Sequence, residues 1–157
     1  MPDANSAPQN STIKYRERRT TVSTELQGWK ILVVDDQPDN LRVAEATLRF
    51  YGAEVITATN GIHGLEVAAG QANISLILLD LSMPEMNGWT MFEKLRQNPV
   101  FTKVPVIALT AHAMDGDEDK VMSAGFNGYI SKPFSVPNLV ANILAIVPKP
   151  IIEEKTS

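Results

Sequence analysis

The sequence predicts an α/β domain in which helices cover both faces of a parallel sheet. Short apolar segments alternate with longer stretches of helical spacing, which is the order expected of repeated strand–helix units. The short segments are almost wholly apolar, as strands are when both faces of their sheet are covered. Because crossover connections between parallel strands are right-handed, few topologies are compatible with this pattern.

Five segments are predicted as strands from residue 30 onward. In chain order they are Lys30–Val34, Glu54–Ala58, Ser75–Leu79, Val104–Leu109 and Gly128–Ile130. The carboxyl ends of parallel strands meet at one edge of the sheet, and ligands of open α/β sheets bind beyond that edge. Functional side chains are therefore expected directly after these segments.

The first two helices carry clear start and stop signals. Pro38 opens the first helix at a position where a missing N–H costs nothing, and Gly52 ends it. Asn60 is predicted to cap the second helix, which ends at Gly70. Each helix thus returns the chain to the start of the next strand.

The other three helices are predicted from similar signals. Asn87 and the following glycine start the third helix, Trp89–Gln97, and an Asn-Pro pair ends it. The fourth helix is predicted from about Ala113 to Ala124, with Gly125 after its last turn. Ser135 is predicted to cap the last helix, which carries an apolar stripe.

Composition indicates one domain with short tails. A chain of 157 residues fits a single core, and the absence of cysteine excludes disulfides and thiolate metal sites and fits a reducing cytoplasm. A net charge of −4 argues against a nucleic-acid surface. The N-terminus lacks the apolar core of a signal peptide, and no apolar run reaches the ~20 residues that span a bilayer. We expect a flexible polar and basic arm at residues 1–27, a domain at 28–148 and a short tail at 149–157.

Three acids follow two of the predicted strands. Asp80 closes the apolar run Ser75–Leu79, and Asp35 and Asp36 stand in the same position after the first strand. Three carboxylates at one edge would repel one another unless a cation joined them. Carboxylates without thiol ligands suit a hard, oxygen-seeking ion, and Mg²⁺ is the common intracellular one.

Two further strand ends add a hydroxyl and an ammonium. The fourth predicted strand leads to Thr110, and the fifth leads to Lys132. A lysine offers a point charge for a phosphoryl group, and a carboxylate such as Asp80 can act as a nucleophile that forms an aspartyl-phosphate. Phosphoryl transfer needs mostly charge neutralisation and in-line placement, which this set of groups would supply.

Simpler interpretations exist for each of these residues taken singly. A lone aspartate after a strand is more often a turn or cap residue, and the Asp35–Asp36 pair could cap the helix that begins at Pro38. His63 is predicted to be exposed, and His63 and His112 are too unrelated in position to form a metal site. The acids at 115–119 are predicted to solvate the start of the fourth helix and to favour its dipole.

Residues 30–147 resemble the receiver domain of bacterial response regulators. The resemblance lies in four motifs, in order and each at a strand end: Val33–Asp36, Leu78–Gly88, Leu109–Ala111 and Tyr129–Pro133. It implies a doubly wound, flavodoxin-like (βα)5 fold whose five parallel strands lie in the order 2-1-3-4-5. The fold expected from the resemblance agrees with the one that the alternating pattern predicts.

The resemblance also implies a metal site and a phosphoacceptor. Asp80 would accept the phosphoryl group and contact Mg²⁺. Asp36 would bind the Mg²⁺ directly, Asp35 would act through water, and the backbone carbonyl of Ser82 would complete the protein ligands.

Further roles are implied for residues around the phosphoryl group. Thr110 and Lys132 would hold its oxygens, and Tyr129 would be a switch aromatic that turns inward as Thr110 is drawn toward the phosphate. Ser82 and His112 occupy positions that tune the lifetime of the phosphate in this family.

The implied partners are a sensor histidine kinase or a histidine phosphotransfer protein, and a downstream protein target. The remainder after Val147 is too short for an output domain, so the expected signal is a phosphorylation-dependent protein contact or onward phosphoryl transfer. A stand-alone cytoplasmic regulator is expected, without nucleic acid or a membrane span, and with the face formed by helix 4, strand 5 and helix 5 available for a homodimer.

Two alternatives remain open at this point. The chain could be a receiver-like adaptor or scaffold that works without phosphorylation. Such proteins usually lose part of the set of five site residues, which is whole here: Asp35, Asp36, Asp80, Thr110 and Lys132. An aspartate-nucleophile phosphatase is disfavoured, because it would need a second acid two residues after the nucleophile, where this chain has Ser82. The protein is thus expected to be no enzyme beyond slow self-dephosphorylation.

Overall fold

The computed structural model of the protein describes residues 24–111 and 117–150. Five parallel strands form one sheet in the order β2-β1-β3-β4-β5, which confirms the predicted fold. The strands are β1 (Lys30–Val34), β2 (Glu54–Ala58), β3 (Leu76–Asp80), β4 (Val106–Thr110) and β5 (Gly128–Ser131). The helices are α1 (Pro38–Phe50), α2 (Gly61–Ala69), α3 (Gly88–Gln97), α4 (Asp117–Ala124) and α5 (Val136–Ile146), and a 3-10 turn, Pro99–Phe101, precedes β4.

Most predicted helix ends are confirmed by their local contacts. The side chain of Asn60 accepts a hydrogen bond from the N–H of His63 at 2.8 Å, and Asn87 caps α3 in the same way. Gly52 has a φ of +103° directly after α1, a conformation that L side chains rarely adopt. The local backbone at these positions thus requires a capping side chain at Asn60 and Asn87 and a glycine at position 52.

Some details at the element starts differ from the prediction. Strand β3 begins at Leu76 rather than Ser75, and helix α3 begins at Gly88 rather than Trp89. Ser135 lies at the cap position of α5, but its side chain makes no capping bond, since Pro137 has no N–H and the N–H of Asn138 goes to the Ser135 carbonyl. Strand β4 begins at Val106 rather than Val104, because the N–H of Val104 bonds back to Phe101 and Pro105 has none to give to the ladder.

The core has two halves, one on each face of the sheet. Successive residues of β1 show the division: Ile31 and Val33 pack in the half that includes α1 and α5, whereas Leu32 and Val34 pack in the half that includes α3. This alternation follows from the two-residue period of a strand. It explains why the strands carry apolar residues at nearly every position.

Packing on the core starts before Gly28, inside the segment that was predicted to be a flexible arm. Leu26 is fully buried, and its N–H donates to the carbonyl of Tyr51 at 2.8 Å. Trp29, next to the predicted boundary, is 3% exposed. Residues 1–23 and 151–157, and the predicted start of the fourth helix at 113–116, lie outside the described residues. Within the described ranges, none of the helices has the length and apolar character needed to cross a bilayer.

Candidate functional site

Asp80 lies at the carboxyl edge of the sheet as the last residue of β3. The strand has the predicted length of five residues but lies one residue further along the chain than predicted, so Asp80 belongs to it and is only 1% exposed. Its Oδ1 accepts a hydrogen bond from the N–H of Ser82 at 3.0 Å. Its Oδ2 is buried and has no hydrogen-bond partner. One carboxylate oxygen is thus held by the following loop, and the other makes no hydrogen bond and has only an ion pair with Lys132.

The two acids after β1 converge on the same place. Carboxylate oxygens of Asp35, Asp36 and Asp80 lie within 4.8 Å of one another. Asp35 is fully buried and Asp36 is half-buried. Asp35 Oδ1 accepts a hydrogen bond from the N–H of Gln37 at 2.9 Å, while Gln37 occupies the cap position of α1. Asp35 therefore orders the turn before α1 without being its cap, and it also joins the acidic cluster.

Lys132 reaches this cluster from β5. Its Nζ lies 3.1 Å from Asp35 Oδ2 and 3.3 Å from Asp80 Oδ2, and its side chain is 11% exposed. The Lys132 N–H donates to the Thr110 carbonyl at 2.7 Å, which fixes the start of the loop after β5 against the end of β4. One ammonium thus faces three acids, and the cluster keeps an excess of negative charge.

Burial raises the pKa of Asp80 from 3.8 to about 6. The N–H of Ser82 opposes this rise, Asp35 adds to it through charge repulsion, and Lys132 lowers the pKa again. Removal from water is the largest cause, and it disfavours the charged form of any carboxyl group. The anionic Asp80 is therefore held in an environment that a further positive charge would relieve.

The other predicted site residues lie around this centre. Thr110 is the last residue of β4 and is 9% exposed. Ser82 is exposed, two residues beyond Asp80. Tyr129 lies on β5, and its hydroxyl donates to the Glu118 carboxylate on α4. His112 lies outside the described residues, and His63 is exposed on α2 as predicted.

A tight turn shapes the loop between Asp80 and α3. The N–H of Met86 donates to the Pro84 carbonyl at 2.8 Å, and Glu85 between them has a φ of +68°. This three-residue turn with positive φ is rare and strained. The loop closes where the N–H of Gly88 donates to the Leu81 carbonyl. The backbone around the Asp80 carboxylate is thus folded back tightly onto the end of β3.

The donor set fits a hard divalent cation. Three carboxylates meet at one point of the sheet edge, and one of their oxygens is buried without a hydrogen bond. Magnesium prefers oxygen ligands and takes only a few carboxylates, with the rest of its coordination left to water and phosphate oxygens. The residues present therefore suit Mg²⁺.

A parallel sheet of this order with an acidic cluster at its carboxyl edge defines a receiver-type signalling domain. The family model of the response regulator receiver domain matches residues 31–144, and the chain belongs to that family. Receiver domains act in two-component systems, where they work with histidine kinases or phosphotransfer proteins.

The matches to similar proteins cover nearly the whole length of those proteins. The polar-differentiation response regulator DivK of Brucella anthropi is 34% identical over 113 residues, which cover 72% of this chain and 91% of that protein. The chemotaxis protein CheY4 of Vibrio cholerae has a similar structure, with a TM-score of 0.71 at 26% identity, covering 76% of this chain and 98% of that one.

One further solved structure bears on the metal. The receiver domain of the sensor histidine kinase PA1611 of Pseudomonas aeruginosa is 34% identical, with a TM-score of 0.69, over 78% of this chain and 99% of that chain. That structure has a magnesium ion coordinated in the active site cleft.

The sequence did not single out Glu118. The acids at 115–119 were interpreted together as a solvated helix start, and nothing in their spacing from Tyr129 marks one of them. The contact depends on where α4 lies over β5, which is a tertiary property without a local signal.

Proposed function

We propose that Asp80 is the phosphoacceptor of this receiver domain. The observation that supports this role most directly is its buried Oδ2, which has no hydrogen bond and lies beside two more acids and a lysine. A carboxylate oxygen that makes no hydrogen bond, and only an ion pair with a lysine, is available as a nucleophile. Asp80 takes the phosphoryl group from the phosphohistidine of a sensor kinase or phosphotransfer protein.

Four protein groups would hold Mg²⁺ at this edge: the carboxylates of Asp36 and Asp80, Asp35 through a water, and the backbone carbonyl of Ser82. When bound, Mg²⁺ supplies charge neutralisation for the carboxylates and for the phosphoryl oxygens. Asp35 and Asp36 come from adjacent residues after β1, so the same turn that places one places the other.

Transfer of the phosphoryl group to Asp80 requires little covalent chemistry from the protein. An oxygen of Asp80 forms a bond to phosphorus as the bond from phosphorus to the donor nitrogen breaks, and the electron pair of that bond returns to the imidazole. The Ser82 N–H keeps the other oxygen in place during this step, at 3.0 Å. The remaining demand is to balance the charge of the phosphoryl oxygens.

Lys132 and Thr110 meet that demand. The Lys132 ammonium, which now faces Asp35 and Asp80, pairs with a phosphoryl oxygen once the group has arrived. The Thr110 hydroxyl donates to another. The bond from the Lys132 N–H to the Thr110 carbonyl keeps the two side chains on neighbouring backbones. Ser82 and His112, at the positions that tune the phosphate lifetime in this family, influence how long the phosphoryl group lasts.

Tyr129 carries the signal away from the site. As Thr110 moves toward the phosphate, the ring of Tyr129 turns inward and changes the face made by α4, β5 and α5. A groove of about 460 Å³ already lies beside Tyr129. It is lined by Tyr129 of β5, by Phe134 in the loop that follows β5, and by residues of α5 such as Asn138 and Ile146. A downstream protein, or a second copy of the chain, would detect the change there.

The cellular setting follows from the same proposal. The protein acts in the cytoplasm as a phosphoacceptor signalling protein, with slow loss of its own phosphate as its only turnover. Its signal is a phosphorylation-dependent protein contact or onward transfer of the phosphoryl group.

The decisive experiment is transfer of labelled phosphate from a phosphohistidine donor in the presence of Mg²⁺. Asp80→Asn should reduce labelling to background, because an amide cannot act as the nucleophile. Asp119→Asn, the same change in an exposed acid on α4, should label like the wild type. Undiminished labelling of Asp80→Asn would sink the assignment.

A second measurement addresses the scaffold alternative. Beryllium fluoride, a phosphoryl mimic, should shift amide NMR signals around Asp80 and Thr110 only when Mg²⁺ is present. Absent shifts, or shifts confined to residues far from Asp80, would favour an adaptor that works without phosphate.

A further inference from the structure

A hydrogen bond joins the proposed switch residue to the neighbouring helix. Tyr129 packs its half-buried ring against the core half that includes α3, and its hydroxyl donates to the carboxylate of Glu118 on α4. Glu118 itself is exposed. The contact therefore fixes the far end of the ring at the surface of the protein, between β5 and α4.

The structure holds Tyr129 in the position that contacts Glu118, and the proposed switch turns the ring away from it. A hydroxyl bonded to an exposed carboxylate on α4 leaves that carboxylate when the ring turns inward, toward Thr110. The Glu118 bond therefore contributes stability to the outward position and none to the inward one. A ligand shifts such an equilibrium only by its differential affinity for the two states.

The ionisation of the phenol agrees with this arrangement. The hydrogen bond to Glu118, followed by burial and the charge of the same carboxylate, raises the pKa of Tyr129 above 10. The hydroxyl thus stays protonated and remains a donor throughout the physiological range.

We propose that Glu118 is a positioning residue, which holds Tyr129 outward in the unphosphorylated protein and so opposes the switch. The inference rests on the proposed function, in which Asp80 is phosphorylated and Tyr129 responds. It adds a residue on α4 that would contact neither the metal nor the phosphoryl group. This residue would change how strongly phosphorylation shifts Tyr129 toward the inward position. Because binding linkage is reciprocal, removal of the contact should strengthen binding of a phosphoryl mimic at Asp80.

The test is a double-mutant cycle on the binding constant of beryllium fluoride in Mg²⁺, measured by NMR titration. Exposed polar contacts between charged or polar side chains are weak, so Glu118→Ala should tighten mimic binding about two- to five-fold. In a Tyr129→Phe background, which lacks the donor, Glu118→Ala should have no effect. Glu118→Gln keeps an accepting oxygen and should lie between Glu118→Ala and the wild type.

A control and a second readout separate this role from a general effect of charge. Asp119→Ala removes the next acid of the same helix, also exposed, and should leave mimic binding at the wild-type value. The ring resonances of Tyr129 in the mimic-free protein should move toward their mimic-bound positions in Glu118→Ala, and not in Asp119→Ala.

The outcomes distinguish the two proposals. If Glu118→Ala and Asp119→Ala tighten binding equally, or if the effect of Glu118→Ala persists in the Tyr129→Phe background, the positioning role is wrong while the phosphoacceptor site stands. If the mimic binds none of the proteins, the proposed function fails, and the role of Glu118 fails with it.

Discussion

The charge of the Asp80 carboxylate is buried and is only partly balanced by hydrogen bonds and by a nearby cation. Its carboxylate is 1% exposed, one oxygen lacks a hydrogen bond, and its nearest cation, Lys132, is shared with Asp35. Removing one partner from a buried polar site usually costs the full desolvation of the group that is left. The site thus holds unfavourable electrostatics in the metal-free protein, which the rest of the fold offsets.

This arrangement makes stability depend on pH in a defined direction. The pKa of Asp80 is about 6 in the folded protein and 3.8 in the unfolded chain, so between these values the folded state binds a proton that the unfolded state has released. The protonated carboxyl group therefore contributes fully to the free energy of unfolding below about pH 4, and this contribution is lost as the pH rises through 6.

Asp80→Asn should remove the fall in folding stability that deprotonation of Asp80 causes as the pH rises. In metal-free buffer the variant should be more stable than the wild type at pH 7, by roughly 1–3 kcal/mol, because no buried charge is left with an unsatisfied oxygen. Urea denaturation between pH 4 and pH 7.5 should show the difference growing up to about pH 6.5 and then levelling. A difference that does not change with pH would contradict the raised pKa of Asp80.

At the scale of single residues, the sequence located the acids and the lysine because strand ends are easy to recognise. It could not tell that Asp80 would be buried within β3, since burial of one residue depends on how the following loop closes over it. Nor could it pair Tyr129 with Glu118, because that distance is set by the docking of a helix.

The loop between β3 and α3 is the element that shapes the surroundings of Asp80. A Cβ on Gly88 would lie 2.3 Å from the Asp80 carbonyl oxygen and 2.8 Å from Leu81 Cα. Real Cβ atoms do not approach backbone so closely, so only glycine allows α3 to start here. The first turn of α3 and the last residue of β3 are thereby held together as one unit.

Gly88→Ala should force this unit apart. Overpacking against backbone costs about 1–3 kcal/mol or more, and the displaced loop should also weaken Mg²⁺-dependent binding of beryllium fluoride, because the Ser82 N–H leaves Asp80. Gly70→Ala is the matched control, as its Cβ would meet nothing nearer than 3.8 Å. Equal unfolding midpoints in urea for the two variants would contradict the close approach.

Element boundaries were predictable where a local bond decides them. Asn60 and Asn87 end their loops by accepting a helix N–H, which a short side chain can do from its own position. Ser135 lies at the same position of its helix, but Pro137 has no N–H, and the N–H of Asn138 bonds to the Ser135 carbonyl instead of its side chain. The start of β4 was misplaced for a similar reason, since the residues before it bond to the preceding turn.

Across the whole molecule, the alternation of apolar and helical segments was enough to predict the sheet. The edge where the domain begins was less evident, because Leu26 stands in a polar stretch with little pattern of its own. Its burial depends on Tyr51, at the end of α1, whose carbonyl accepts the Leu26 N–H. The contact is between residues far apart in the sequence, and a single buried leucine produces no hydrophobic periodicity that a sequence pattern could reveal.

Leu26→Ala measures whether these residues belong to the domain. Truncation of a fully buried leucine costs about 2–5 kcal/mol through lost burial and the cavity that remains. Val100→Ala, at a position 71% exposed, should change the free energy of unfolding by less than about 0.5 kcal/mol. Urea denaturation of both variants decides the matter, and similar values would return the boundary to residue 28.

The pair formed by Lys132 and Asp35 joins residues 97 positions apart in the chain. Contacts of such separation form only after the intervening chain has paid its loop-closure entropy. A fragment that lacks β5 therefore lacks the ammonium that faces the acids after β1 and β3. The charge balance of this cluster thus depends on the last strand having docked, and it reports that the sheet is fully assembled.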